Sequence, residues 1–301
     1  MTPTMRAARF EAASRALTLA EVPVPELLPY EVLVRVQACG VCLSDVHVCV
    51  LRREFEGLVV PSKIYGIMAA GRPCLACSSC AGGRPEGCRA VQIMGFSYDG
   101  AWAEFVAVPY AALLERAQVR PAESVGIWGV GGLGIHAVKL ARLLGAAPIV
   151  VLDPRESARD RGLRAGADLA IDPTVADAVG QVRAATGGDG LDVALDVVGS
   201  PAVLQQAEQC LGRAGRLVMV GMSLEPTTLG PGALFSLQSQ SLLGHLGYRK
   251  EHLDQLVRLV ELGRLDVSES VSDVLPLDDI VDAVDRLATK RGDPVRLVIR
   301  P

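Results

Sequence analysis

Residues 124–138 read SVGIWGVGGLGIHAV, and this stretch decides the fold. A short apolar run, Val125 to Trp128, feeds a turn with glycine at positions 129, 131, 132 and 134, and the turn opens a helical stretch rich in Ala and Leu. Strand, glycine turn and helix in that order suit a dinucleotide. One glycine permits the tight turn, a second lets the backbone approach a pyrophosphate, and a third lets the helix pack close to the strand. The phosphates then meet unpaired N–H groups at the positive end of the helix. The expected cofactor contacts here are Gly129, Val130, Gly131, Gly132, Leu133 and Gly134.

A second apolar run, 148–152, ends in Asp153, about 20 residues beyond the turn, where an acid receives the adenosine ribose hydroxyls. Asp153 followed by Pro154 favours NAD over NADP, because a carboxylate repels a ribose phosphate. Arg155 lies close enough to soften that preference. Further apolar runs at 167–171, 191–198, 217–220 and 242–246 alternate with helical stretches, the pattern of a parallel, doubly wound α/β sheet.

The bulk properties set limits around this core. A chain of 301 residues is long enough for about two domains. Half of it is hydrophobic and 21% charged, with a net charge of -4, which does not suggest a basic nucleic-acid surface. The first residues lack the basic-then-apolar order of a signal peptide, and no apolar run approaches the roughly 20 residues of a membrane span. A cytoplasmic protein is expected. With aromatics at 4%, the core must be built from Val, Leu, Ile and Ala.

Eight cysteines are present, and four of them, Cys74, Cys77, Cys80 and Cys88, crowd into RPCLACSSCAGGRPEGC. In a reducing compartment such crowding reads as metal binding, and four thiolates at this spacing can close a tetrahedral zinc site on one loop. Upstream, Val32, Val34 and Val36 alternate with Leu33, Arg35 and Gln37, a half-buried strand pattern that delivers the chain to ACGVCLSDVHVC at 38–49. Downstream of the cysteines, 95–109 returns to strand-like alternation. The 251–261 stretch places apolar residues at 253, 256, 257 and 260, a one-sided helical face expected to pack on the core. Residues 277–288 form another such helix, and PVRLVIRP ends the chain as a strand.

With the CGVCLSDVH motif, the cysteine lobe and the glycine turn in hand, the sequence resembles the zinc-dependent alcohol dehydrogenases of the medium-chain dehydrogenase/reductase family. The resemblance implies a GroES-like β domain at 1–118, with a structural zinc lobe at 72–90. It implies a Rossmann domain at 119–245, and a segment at 246–301 returning to the first domain. It further implies Cys42 as a ligand of a catalytic zinc, Ser44 and His47 as a proton relay, and Asp45 beside them. Zinc lowers the pKa of a bound hydroxyl, so that an alkoxide can expel a hydride while a Ser/His chain carries the proton away. Val198, Gly199, Val220 and Gly221, at the ends of two strands, are implied backbone contacts of the nicotinamide, with His245 nearby. Arg296 is either a pyrophosphate contact or a solvated strand arginine. The family pairs Rossmann sheets edge to edge, so a homo-oligomer is expected, with a small alcohol or carbonyl compound as substrate and neither nucleic acid nor membrane as partner.

Two segments of the family pattern are missing. After PSKIYG the chain passes directly to IMAAGRPC, without the Gly-His-Glu motif that carries the second catalytic-zinc ligand, and no histidine lies between His47 and His136. PYAALL then runs straight into ERAQVRPAESVGIWG, where the family places a crossover helix and the third ligand. Three functions therefore stand open: an NAD-dependent alcohol dehydrogenase, a catalytically impaired NAD-binding structural or regulatory protein, and a zinc-independent quinone-type reductase.

Overall fold

The structure is a computed structural model that describes residues 4–11, 16–24, 39–41 and 104–300. The expected strand through Val32, Val34 and Val36 and the cysteine lobe lie outside the described residues. Contacts divide the chain into two units, residues 104–267 and residues 1–103 with 268–301.

In the second of these units, β1 (Thr4–Glu11) pairs antiparallel with β2 (Ala16–Pro23) over eight residues. β3 (Cys39–Val41) pairs with a strand from the far end of the chain, described below.

The 104–267 unit opens with α1 (Glu104–Ala111), which carries Pro109 inside it and passes into a single π turn at Ala112–Arg116. This corrects the strand expected up to residue 109. Ala107, Pro109, Tyr110 and Ala111 are buried and Val106 and Val108 half-buried, so the helix carries little amphipathic period. A short apolar run of that kind cannot be told from a strand by periodicity alone.

Next come β4 (Val125–Trp128), α2 (Gly132–Leu143), β5 (Ile149–Leu152), α3 (Glu156–Arg164), β6 (Leu169–Ile171), α4 (Ala178–Ala185), β7 (Leu191–Asp196), α5 (Pro201–Cys210), β8 (Leu211–Met219), α6 (Gly232–Leu237), β9 (Ser241–Gly244) and α7 (Lys250–Glu261). The six strands form one parallel sheet in the order β6-β5-β4-β7-β8-β9. Strands β4, β5 and most of β7 are buried on both faces, as their near-continuous Val, Ile, Leu and Ala content requires. The order reverses between β4 and β7. In a doubly wound sheet, that switch point opens a crevice at the C-terminal ends of the strands.

After residue 267 the chain returns to the unit that holds β1, β2 and β3. β10 (Asp273–Pro276) lies parallel to β11 (Leu297–Arg300), and β11 runs antiparallel to β3. Between them α8 (Ile280–Thr289) buries Ile280, Ala283 and Leu287 against Ala8, Val41, Leu297 and Ile299. N-terminal and C-terminal residues thus share one core. The units divide at 103/104 and 267/268, where the sequence suggested 118/119 and 245/246. Helix α1 packs on α2 and α7, which keeps 104–118 and 246–267 with the six-stranded sheet.

The expected face of α7 is only partly right. Leu256 is buried, but Val257 is 50% exposed and Val260 43%, while His252 takes a buried place instead. Nδ1 of His252 accepts the Arg249 N–H at the helix start, and Nε2 faces Glu115 at 2.9 Å, so the imidazole serves as a cap. Accordingly Leu256→Ala should cost about 2–5 kcal/mol in denaturant unfolding, whereas Val257→Lys should leave stability within about 0.5 kcal/mol.

Candidate functional site

The strand ends that border the crevice are level. Trp128 is in register with Leu152 on one side and Asp196 on the other, and Asp196 with Met219. Gly129, Asp153, Val197 and Val220 therefore emerge side by side. Gly129 takes a left-handed φ of +92°, and a side chain there would strike Val198. A Cβ on Gly134 would lie 1.8 Å from the Gly129 carbonyl oxygen, so α2 can approach the turn this closely only with glycine at that position. At Gly131 a Cβ would meet nothing within 4 Å. Gly131 also caps α2, with no side-chain cap hydrogen bond and no acid in the first turn. Together these provide a cradle lined by backbone donors, with the helix dipole behind it.

The turn is held from its flank. Asp153 Oδ2 accepts the Val130 N–H at 2.9 Å and Oδ1 accepts the Arg155 N–H at 3.0 Å. The Arg155 guanidinium lies against the same carboxylate, with Nε 3.3 Å from Oδ1. Arg161 Nε donates to the Val130 carbonyl at 3.3 Å. Arg159 Nη1 donates to the Asp153 and Pro154 carbonyls and pairs with Asp172. The acid expected to receive ribose hydroxyls is thus also the clamp of the glycine turn, a role that its spacing did not suggest.

On the other side of β4, Asp196 is fully buried. Its Oδ1 accepts the Val198 and Gly199 N–H groups at 2.8 and 2.9 Å, and its main-chain carbonyl accepts Val220 and Gly221 at 2.9 Å each. One residue therefore gathers both loop ends expected at the nicotinamide. A Cβ on Gly221 would sit 2.2 Å from Gly199 N, and one on Gly199 would sit 2.5 Å from Met222 N, so the two loops touch backbone to backbone. Asp196 Oδ2 has no hydrogen-bond partner among the described residues. Burial raises its carboxyl pKa against the two backbone hydrogen bonds. Its sequence signal was an acid closing an otherwise apolar strand, just before VVG.

His245 follows β9, and its Nε2 lies 3.1 Å from the Val108 carbonyl. Burial, with the Arg116 charge second, lowers its pKa to about 4, so the ring is neutral at pH 7. Stability that depends on the neutral ring is complete above pH 6.5 and is lost as pH falls toward 4.

The structure thus brings Gly129, Val130, Gly131, Gly132, Leu133, Gly134, Asp153, Val198, Gly199, Val220 and Gly221 to one end of one sheet. Arg296 belongs to the other unit, and at 2% exposure it is not a solvated strand arginine. Cys42, Ser44, Asp45, His47, Cys74, Cys77, Cys80 and Cys88 lie outside the described residues. Among the described residues, no group of three or more His, Cys, Asp or Glu could hold a metal, and no helix is long and apolar enough to cross a membrane. The open direction at Gly131, the side-chain-free helix start and the acid beside the turn fit a dinucleotide.

A doubly wound parallel sheet with this glycine turn is the architecture of a dinucleotide-binding domain. Residues 28–118 match the family described as alcohol dehydrogenase GroES-like domain, and residues 132–261 match that described as zinc-binding dehydrogenase. The L-threonine 3-dehydrogenase of Symbiobacterium thermophilum is 29% identical over 348 aligned positions that cover 99% of each chain. An NAD-dependent alcohol dehydrogenase of Sulfurisphaera tokodaii is 27% identical, with 94% of this chain and 96% of that one covered. The crystal structure of the alcohol dehydrogenase from Aeropyrum pernix superposes with a TM-score of 0.81 at 26% identity, covering 99% of this chain and all of that one. The chain belongs to the zinc-dependent medium-chain dehydrogenase family and is an alcohol dehydrogenase-like oxidoreductase.

Two glycines separate packing from binding. Gly134→Ala should lower stability by about 3 kcal/mol, because the methyl group meets the Gly129 carbonyl. Gly131→Ala should melt at the temperature of the unsubstituted protein and lose about ten-fold or more in dinucleotide affinity by calorimetry. The buried carboxylate gives a pH test. Because the folded-state pKa of Asp196 is raised, its ionisation costs stability as pH rises above the ordinary value of 3.8. Asp196→Asn should therefore gain stability relative to the parent as pH rises from 4 to 7, and the melting curves of the two should converge as pH falls toward 4.

Proposed function

We propose that this oxidoreductase transfers a hydride between the carbon of a small alcohol and NAD, converting alcohol and NAD⁺ to carbonyl compound, NADH and a proton. The observation that carries the reading is the open, side-chain-free cradle at Gly131 beside the Asp153 clamp. Gly129, Val130, Gly131, Gly132, Leu133 and Gly134 hold the pyrophosphate, and Asp153 faces the adenosine ribose. Val198, Gly199, Val220 and Gly221 border the nicotinamide, kept in place by Asp196. Cys74, Cys77, Cys80 and Cys88 hold a structural zinc, and Cys42 is the proposed ligand of a catalytic one. When bound, the nicotinamide supplies a hydride acceptor and the catalytic zinc a Lewis acid. Ser44 and His47 pass the alcohol proton to solvent, with Asp45 beside them. The proposed setting is the cytoplasm, where thiolates stay reduced, and the proposed assembly is a homo-oligomer.

One observation favours a second reading, a dinucleotide-binding protein without turnover. The alignment with the Symbiobacterium thermophilum relative is longer than this chain, so it opens gaps here. Gly-His-Glu and the third-ligand segment are the parts the sequence lacks. Zinc per chain, by elemental mass spectrometry, together with NADH formation from a panel of alcohols with and without chelator, separates the readings. Two zincs and chelator-sensitive turnover are expected of a rebuilt catalytic site. A single zinc lost on Cys77→Ser, with no turnover, would support the binding protein. Turnover indifferent to chelator would identify a zinc-independent reductase.

A further inference from the structure

A doubly wound sheet binds one mononucleotide in each half, so with Asp153 on the adenosine side the ends of β7 and β8 face the nicotinamide half of a dinucleotide. Asp196 closes β7 and is fully buried. Its Oδ1 accepts the N–H groups of Val198 and Gly199 at 2.8 and 2.9 Å, so the carboxylate stands one hydrogen bond behind the backbone of that loop. Oδ2 has no hydrogen-bond partner among the described residues.

Among the described residues no cation offsets this acid. Trp128 and Met219 lie in register with it on the flanking strands, and the loop residues bonded to it are Val198, Gly199, Val220 and Gly221, none of which carries a charge. Asp153, by contrast, has a guanidinium against it. A carboxylate taken out of water without an opposite charge is costly, and burial accordingly raises the Asp196 pKa. An asparagine carbonyl would accept the same two N–H groups without that cost. Loop geometry alone therefore does not call for an acid. What an acid adds is a preorganised negative charge, felt strongly where water is excluded. The two redox forms of a nicotinamide differ by one positive charge on the ring, the oxidised form being the cation.

Resting on the dinucleotide reading, we propose that the buried Asp196 carboxylate favours the oxidised over the reduced nicotinamide, its negative charge attracting the pyridinium through the loop that it holds. The attraction offsets the cost of the buried charge while the oxidised ring is bound, and it ends when the ring becomes neutral. The acid thus helps hold NAD⁺ and gives no such help to NADH.

Calorimetric titration of the full chain at about pH 8 with NAD⁺, NADH and ADP-ribose tests this without any substrate. Asp196→Asn keeps the shape of the side chain and an acceptor for the loop, and it should shift the ratio of the NAD⁺ and NADH dissociation constants at least about five-fold in favour of NADH. ADP-ribose, which has no nicotinamide ring, should change no more than NADH does. Asp196→Glu, which keeps the charge, should stay closer to the parent ratio than Asp196→Asn does. An equal loss for all three ligands in Asp196→Asn makes the acid a scaffold alone and overturns the proposal. A smaller shift of the ratio, or an Asp196→Glu ratio as far from the parent as that of Asp196→Asn, overturns it too, and each of these results leaves the dinucleotide reading intact. Absence of binding of all three ligands by the parent defeats the dinucleotide reading and this proposal together.

Discussion

The architecture of the crevice depends on how closely main chain can approach main chain. At Gly134, where the Gly129 carbonyl stands, and again at Gly199 and Gly221, backbone atoms occupy the space where a Cβ would stand. Side chains cannot hold such a junction, so hydrogen bonds do it instead: Asp153 grips the Val130 N–H on one flank, and Asp196 grips Val198, Gly199, Val220 and Gly221 on the other. Two acids at the ends of adjacent-but-one strands therefore fix the geometry of every loop around the switch point. A buried acid is costly unless satisfied, and its presence in a sheet of Val, Ile and Leu marks where precision of the backbone is worth that cost.

The two acids are satisfied to different degrees. Asp153 has a cation and two N–H groups around it, whereas Asp196 leaves one oxygen without a partner among the described residues and has its pKa raised by burial. The β5 flank is thus electrostatically closed, and the β7 flank keeps some stored free energy.

Much of the 104–267 unit was legible in the sequence because its signals are local. The run at 125–128, the glycines after it and the acid after residue 152 each depend on their immediate neighbours, and parallel strands buried on both faces show as uninterrupted apolar runs. Three features were not legible, for physical reasons. Helix α1 is largely buried, with Val106 and Val108 half-buried on either side of Ala107, so its sequence looks like strand alternation and Pro109 looks like a stop. The buried side of α7 is set by His252 capping Arg249 and facing Glu115, a pairing across more than a hundred residues, and Val257 and Val260 are left facing out. The part of Asp153 in holding Val130 depends on the register between β4 and β5, which no single-strand pattern encodes.

The pairing of β3 with β11 has a consequence for the order in which the chain can take shape during its synthesis. The 104–267 unit is continuous in sequence, so all of its strands and helices are available once that stretch has emerged. The other unit is not: Cys39–Val41 must wait for Leu297–Arg300, and Ala8 and Val41 must wait for the helix that covers them. Cys39–Val41 is thus synthesised before the strand and helix that cover it, with the whole 104–267 sheet in between. The β3–β11 pairing, between strands far apart in sequence, is the latch of that unit.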